Sequence, residues 1–353
     1  DGAGNHSGLL RCGPSGAPVL LLGSHLDSVP QGGRFDGALG VMAALEVLET
    51  VKQQGLALDA HLEVVDFSDE EGHYANFVGS LGLVGGLQAA HIESPRGGRA
   101  HFREALSRAG LTEESLFTAG RDSASLAGYL ELHIEQGRRL AEQETDIGIV
   151  TAIVGIRSFE IRFLGRADHA GTTPMAQRLD AAQGASAFTL AVRDTMLAEF
   201  PDCVATVGDM AIEPGVFNVG PEIPRVSLEF RAEGEGKLDA IEARLRQQAL
   251  VAAERFGLEL EIQHLDSAAP APMDEGVQAA IASACEALGL SHLFLPSGAG
   301  HDAQCLAPVC PTGMIFIPSA GGFSHSAREF TEWQNCVNGA NVLLHAALAL
   351  ARS

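Results

Sequence analysis

Two short apolar runs bracket a helical repeat near the start of the chain, and each run leads into residues of the kind that bind metals. Pro18-Val19-Leu20-Leu21-Leu22-Gly23 is continuous rather than alternating, as expected of a strand buried on both faces. From Gly40 to Gln53 apolar residues recur at Val41, Leu45, Leu48 and Val51, and Gly55 closes what reads as a helix. His61-Leu62-Glu63-Val64-Val65-Asp66-Phe67 is the next strand. Strand, helix and strand in this order predict an α/β fold, in which sites form at the carboxyl ends of the strands.

Those ends carry chemistry. His25 and Asp36 follow the first run, and Glu70-Glu71 follow the second. Imidazole suits zinc, a carboxylate can bridge two ions, and a carboxylate left off the metal is free to move protons. Tyr129 to Ile134 predicts a further strand with His133 near its end, and Gly313 to Ile317 one that feeds Ser324-His325-Ser326. A lone His and Asp at a strand end are more often structural than ligating. Here several separate segments supply ligands of one kind. Asp27, two residues after His25, is expected to accept the imidazole's other N–H. Glu70 and Glu71, as neighbours, point in different directions, so one can bind metal while the other acts on water.

A chain of 353 residues is long enough for two cores. From about Ile149 the pattern changes to alternating runs, Ser158 to Phe163 and Val226 to Arg231, separated by helices near 176–199 and 235–256. We read 149–265 as a smaller α+β domain inserted into a larger α/β domain made of 1–148 and 266–353. Ser267 to Pro272 reads as the return linker, and Val277 to Leu288 and Thr331 to Ala351 as helices.

Composition narrows the function. With 23 basic and 45 acidic residues the net charge is −22, and no Lys/Arg block occurs, so nucleic acid is not an expected partner. The apolar run Val342 to Leu350 is too short to span a bilayer, and the polar opening Asp1-Gly2-Ala3-Gly4-Asn5 does not read as a signal peptide, although no initiator Met precedes it. Six cysteines without a C-x-x-C pair fit a reducing cytoplasm. No Gly-x-Ser-x-Gly elbow supplies a serine nucleophile. His169, Asn218 and Arg231 read, by themselves, as ordinary loop and strand residues, and His73 as a residue near a pocket.

Taken together, Gly23-Ser24-His25-Leu26-Asp27, Gly32-Gly33-Arg34-Phe35-Asp36-Gly37, Asp69-Glu70-Glu71-Gly72, Leu132-His133-Ile134-Glu135-Gln136-Gly137, Ala167-Asp168-His169-Ala170-Gly171, Gly298-Ala299-Gly300-His301-Asp302-Ala303 and Ser324-His325-Ser326 closely resemble one group, in order and over nearly the whole chain. It is the N-carbamoyl-L-amino-acid hydrolase and allantoate amidohydrolase branch of the dinuclear zinc exopeptidases.

The resemblance implies a catalytic domain with a mixed sheet flanked by helices, and a ferredoxin-like inserted domain that acts as lid and dimerisation element of a homodimer. It implies two divalent ions, zinc first, with manganese, cobalt or nickel as alternatives. His25 and His133 would hold one ion, Glu71 and His325 the other, and Asp36 would bridge them. Glu70 becomes the general base. His169 would stabilise the oxyanion and, with Asn218, reach the neighbouring subunit's site, while Arg231 grips a substrate carboxylate with help from Gln136 and the loop ending at Gly300. The implied reaction is hydrolysis of a ureido or amide C–N bond in a small carboxylate, with an N-carbamoyl-L-amino acid as the expected substrate. Allantoate, or a dipeptide or acylamino acid, is the alternative, and a catalytically silent binding protein the rival of another class. Two departures stand out. The segment Gly72 to Ser80 is shorter than the family's and lacks its Arg-Phe, and the chain begins where the family already has helices behind it.

Overall fold

The structure, a computed structural model, describes residues 1–352. The larger of two compact units comprises residues 1–153 and 271 onward, and the smaller spans Val154–Pro270. Both boundaries lie a few residues beyond those expected, because the strand Ile147–Ile153 belongs wholly to the larger sheet and the last strand of the smaller sheet runs on to Ala268.

In the larger unit, strands β1 (His6–Leu10), β2 (Val19–His25), β3 (His61–Phe67), β4 (Leu126–Ile134) and β5 (Ile147–Ile153) precede the insertion. Helices α1 (Ala38–Gln53), α2 (Val78–Leu83), α3 (Arg99–Arg108), α4 (Glu113–Phe117) and α5 (Arg139–Glu142) lie among them. The smaller unit is β6 (Gly155–Leu164), α6 (Ala181–Glu199), β7 (Val204–Glu213), β8 (Ile223–Ala232), α7 (Glu235–Phe256) and β9 (Glu259–Ala268). The chain then returns through β10 (Ala271–Pro272), α8 (Glu275–Leu288), β11 (His292–Ser297), α9 (Ala303–Leu306), β12 (Thr312–Ile317) and α10 (Trp333–Leu350). The stretch read as a return linker is therefore partly ladder, since β9 runs to Ala268 and Ala271 and Pro272 pair with β5.

The larger sheet is mixed, ordered β1-β3-β2-β4-β12-β5-β10, with β11 beside β5. Its centre, β3-β2-β4-β12, is parallel throughout, while β1, β5 and β10 bring antiparallel pairings. The continuous apolar runs have a direct cause. Leu20 and Leu22 face one core with Val41 of α1, Ile281 of α8 and Leu343 of α10, whereas Leu21 faces another with Leu83 of α2 and Leu306 of α9. Helix α1 starts two residues earlier than its repeat predicted. It ends as expected, with Gly55 in the left-handed region and the Leu56 N–H returning to the Val51 carbonyl.

The smaller unit is an antiparallel sheet ordered β7-β8-β6-β9, backed by α6 and α7 around a separate core of Phe159, Phe163, Phe188, Phe230 and Ile241. Helix α6 begins at Ala181, later than predicted, because Met175–Gln177 forms a separate 3₁₀ turn. No helix among the described residues is long and apolar enough to cross a membrane.

One ion pair holds an acid inside the larger unit. The Glu63 carboxylate, in β3, accepts a forked pair of hydrogen bonds from Arg121 at 2.8 and 2.7 Å. Burial alone would raise its pKa, but the hydrogen bonds from Arg121 and Ser7 and the Arg121 charge prevail and hold it below the ordinary 4.5. A depressed carboxylate contributes stability above its unfolded pKa that is lost as pH falls through the folded one. Arg121→Ala should therefore lower stability by about 1.5–3 kcal/mol near neutrality. In urea unfolding over a pH series, the gap to wild type should narrow as the pH drops below 4.5.

Candidate metal centre

Because β3, β2, β4 and β12 run parallel, their carboxyl ends share one edge of the sheet. His25 is the last residue of β2, His133 the last but one of β4, and Glu70 and Glu71 follow the end of β3. His325 lies in the segment after β12, and Asp36 sits two residues before α1, at the positive end of its dipole. Gly37 joins Asp36 to the helix at φ 63°, and a Cβ there would fall 2.4 Å from the His25 ring.

Asp36 is the centre, at 5% exposure. Its Oδ1 lies 3.1 Å from His133 Nε2 and 3.6 Å from His25 Nε2, and its Oδ2 lies 3.5 Å from His325 Nε2. Glu71 Oε2 is 3.5 Å from His325 Nε2, and Glu70 Oε2 is 3.6 Å from His25 Nε2. Two triads, His25–Asp36–His133 and Asp36–Glu71–His325, thus share one carboxylate, and the ligand atoms of each lie within 4.8 Å of one another. Ligands about 2.1 Å from a tetrahedral ion stand roughly 3.4 Å apart, so this spacing suits convergence on a cation. The donors fit as well. Glu71 Oε1 is buried with no hydrogen-bond partner, as an atom meant for a cation would be.

The electrostatics agree. Burial would raise Asp36, yet the neighbouring His133, the Ser324 hydroxyl and His25 hold it far below the carboxylate range. Burial would lower His133, but Asp36 and Glu131 push it up to about 9. Glu70 is raised well above its ordinary value, first by burial and then by Asp302, Glu131, Glu71 and Asp27. Carboxylates crowded in this way call for positive charge among them.

Both buried imidazoles are oriented from behind. His133 Nδ1 lies 2.9 Å from the Ile134 carbonyl, and His25 Nδ1 lies 3.0 Å from the Asp27 carbonyl. The second contact corrects the expectation for Asp27, whose carboxylate stands 3.7 Å from that nitrogen. It accepts instead the backbone N–H groups of Glu70 and Glu71 at 3.3 and 3.0 Å, and so orients the acidic pair. Gln136, at φ 58°, donates its side-chain amide to Asp36 Oδ2 at 2.8 Å, and Ser324 Oγ lies 2.8 Å from the same oxygen. Gly300 is exposed, and a Cβ there would fall 3.0 Å from the Phe77 ring.

Sequence reasoning missed a buried polar layer alongside. Glu131 accepts the Ser24 hydroxyl at 2.8 Å and the Ala303 N–H at 3.1 Å, and His301, held by Ser297 at 2.9 Å, packs edge-on to His133 at 4.5 Å between ring centroids. An acid two residues before His133 in an otherwise apolar strand was the available signal. Glu329, buried four residues after His325, was also overlooked.

In the smaller unit, His169 and Asn218 come together, with a bridge between His169 and Val219 and the Ala170 N–H bonded to the Asn218 carbonyl at 3.0 Å. The N–H groups of Gly171 and Thr172 donate to His169 Nδ1 at 3.0 and 3.2 Å, which puts the ring proton on the exposed Nε2. Arg231 bonds Glu229 through Nε at 2.9 Å.

Comparisons with known proteins show the family. The family model described as "Peptidase family M20/M25/M40" matches residues 21–349. An N-carbamoyl-L-amino acid amidohydrolase of Geobacillus stearothermophilus is 38% identical, over 100% of this chain and 86% of its own length. An allantoate amidohydrolase of Bacillus subtilis is 33% identical, over 99% and 85%. The crystal structure of a hydantoinase/carbamoylase-family amidase from Burkholderia multivorans superposes with a TM-score of 0.88 at 36% identity, covering 100% of this chain and 86% of that one.

If Asp36 joins two sites, elemental analysis of metal-reconstituted protein should approach two divalent ions per chain, and Asp36→Ala should lose at least one. Retention of both ions by that variant would contradict the shared carboxylate.

Proposed function

The chain belongs to peptidase family M20/M25/M40, a family of metal-dependent hydrolases, and on that premise we propose that it hydrolyses the ureido C–N bond of N-carbamoyl-L-amino acids. The observation that carries the reading is one carboxylate, Asp36, shared by two ligand triads, with Glu70 Oε2 3.6 Å from His25 Nε2 proposed as the proton carrier beside them. The name of the Geobacillus relative supports the substrate class. Allantoate is the second reading, supported by the Bacillus relative.

His25, His133 and Asp36 would hold one divalent ion, and Asp36, Glu71 and His325 the other, with zinc favoured by the three imidazoles. Bound there, such ions supply Lewis acidity that lowers the pKa of water and polarises a carbonyl. Glu70 takes a proton from the water as its oxygen bonds to the ureido carbon, then delivers that proton to the leaving nitrogen as the C–N bond breaks. Breaking that one C–N bond leaves a carbamic acid, whose remaining C–N bond breaks spontaneously with loss of carbon dioxide, so the final products are the free amino acid, ammonia and carbon dioxide. His169, with its proton on Nε2, is suited to donate to the oxyanion, and Asn218 is proposed as a further donor. Arg231 is proposed to take the substrate carboxylate through its planar fork, exchanging or sharing its bond to Glu229.

For the smaller unit we propose the ferredoxin-like lid and dimerisation role, which its β-α-β-β-α-β order supports. A cytoplasmic location is proposed from the six free cysteines.

Ammonia release from a panel of N-carbamoyl-L-amino acids, allantoate and dipeptides, with and without added zinc or manganese, tests the reading. Turnover of dipeptides alone would overturn it. Glu70→Gln should keep its metal while kcat falls by at least ~100-fold, the low end for a positioned base. Arg231→Lys should stay impaired despite its charge, and amidating the substrate carboxylate should make variant and wild type nearly alike.

A further inference from the structure

Glu329 is 6% exposed and belongs to neither ligand triad, yet it joins the two segments that carry the shared ligand and His325. Its Oε1 accepts the backbone N–H of Phe35 at 2.9 Å and of Asp36 at 3.1 Å. Its Oε2 lies 3.1 Å from Ser324 Oγ, which in turn stands 2.8 Å from Asp36 Oδ2. The Glu329 N–H closes a turn on the Ser326 carbonyl at 3.0 Å, immediately after His325. Phe35 and Phe330, neighbours of Asp36 and Glu329, meet edge to face at 6.1 Å and tie the segments a second time.

The chain has made room for this clamp. A Cβ on Gly33 would fall 2.0 Å from Glu329 Oε1, so the turn before Asp36 can wrap the carboxylate only with glycine there. His325 is held at φ 53°, a left-handed conformation that a non-glycine residue keeps only when its surroundings impose it. Charge-assisted hydrogen bonds to two consecutive backbone N–H groups leave the Asp36 backbone little freedom.

We propose that Glu329 is a positioning residue that sets the spacing between Asp36 and His325 required by the ion of the Asp36–Glu71–His325 triad. The inference rests on the reading of that triad as a metal site. His25 and His133 do not depend on this clamp, so the ion they share with Asp36 keeps two imidazoles when Glu329 is lost. The effect is therefore selective.

The test is titration of the metal-free chain with zinc against a competing chelator, for wild type, Glu329→Ala, Glu329→Gln and His325→Ala, with the melting temperature of each metal-free protein measured alongside. Glu329→Ala should weaken the second ion about 10–100-fold, the usual effect of losing a group that orients a ligand, and leave the first within about threefold. Glu329→Gln, whose carbonyl oxygen can still accept both N–H groups, should show a smaller loss at the same ion, at least about threefold, with an unchanged metal-free melting temperature. If Glu329→Ala does not fold, Glu329→Gln decides by the same criterion. Wild-type affinity at both ions, or equal weakening of both, overturns the proposal. His325→Ala separates the two levels: if it still binds two ions at wild-type affinity, the triad assignment itself fails, whereas loss of one ion there with none in Glu329→Ala removes only the positioning role.

Discussion

Burying the Asp36 carboxylate is the constraint to which the rest of the larger unit answers. An isolated buried charge costs several kcal/mol, and the chain meets that cost by bringing three imidazoles, an amide and a hydroxyl to its two oxygens. No single element could supply them. The parallel order β3-β2-β4-β12 puts His25, His133 and the acidic pair on one edge, and the segment after β12 adds His325. One oxygen faces the imidazoles of β2 and β4, and the other faces His325, so the two triads follow from the two-sidedness of one carboxylate.

Rigidity comes from groups that touch the ligands from behind. Backbone carbonyls take the outward N–H of both buried imidazoles, which settles their tautomers without adding charge. Asp27 spends its carboxylate on the N–H groups of Glu70 and Glu71, so adjacent acids diverge, one toward His25 and one toward His325. That divergence is what the proposed roles of Glu70 as proton carrier and Glu71 as ligand require. Two further buried acids, Glu131 and Asp302, add to the crowding that holds Glu70 above its ordinary value.

The smaller unit folds around its own aromatic core, and its chemistry is of a different kind. It offers donors rather than acceptors: an imidazole whose tautomer two backbone N–H groups determine, and a guanidinium already shaped by a carboxylate partner. These are the groups that the proposed contacts with a substrate carboxylate and an oxyanion would use.

The periodicities of the chain alone determined the α/β character of the larger unit and the approximate limits of α1 and α10, and pointed to His25, Asp36, the Glu70-Glu71 pair, His133 and His325 as candidates, because apolar runs and the polar residues that follow them are local properties, whereas the choice between Glu70 and Glu71 as ligand came only with the family resemblance. The alternating runs likewise announced a second core. What only the tertiary structure decided are relations between distant segments. Asp27 lies two residues from His25, and spacing alone could not say that its carbonyl, rather than its carboxylate, would meet the imidazole. Gln136 was read as a substrate contact, and packing turned its amide onto Asp36. Glu329 carries no spacing signature, since its partners Phe35 and Asp36 lie 294 and 293 residues away. A buried acid is recognised by what surrounds it, and surroundings are set by the packing of strands and loops rather than by neighbours in the chain.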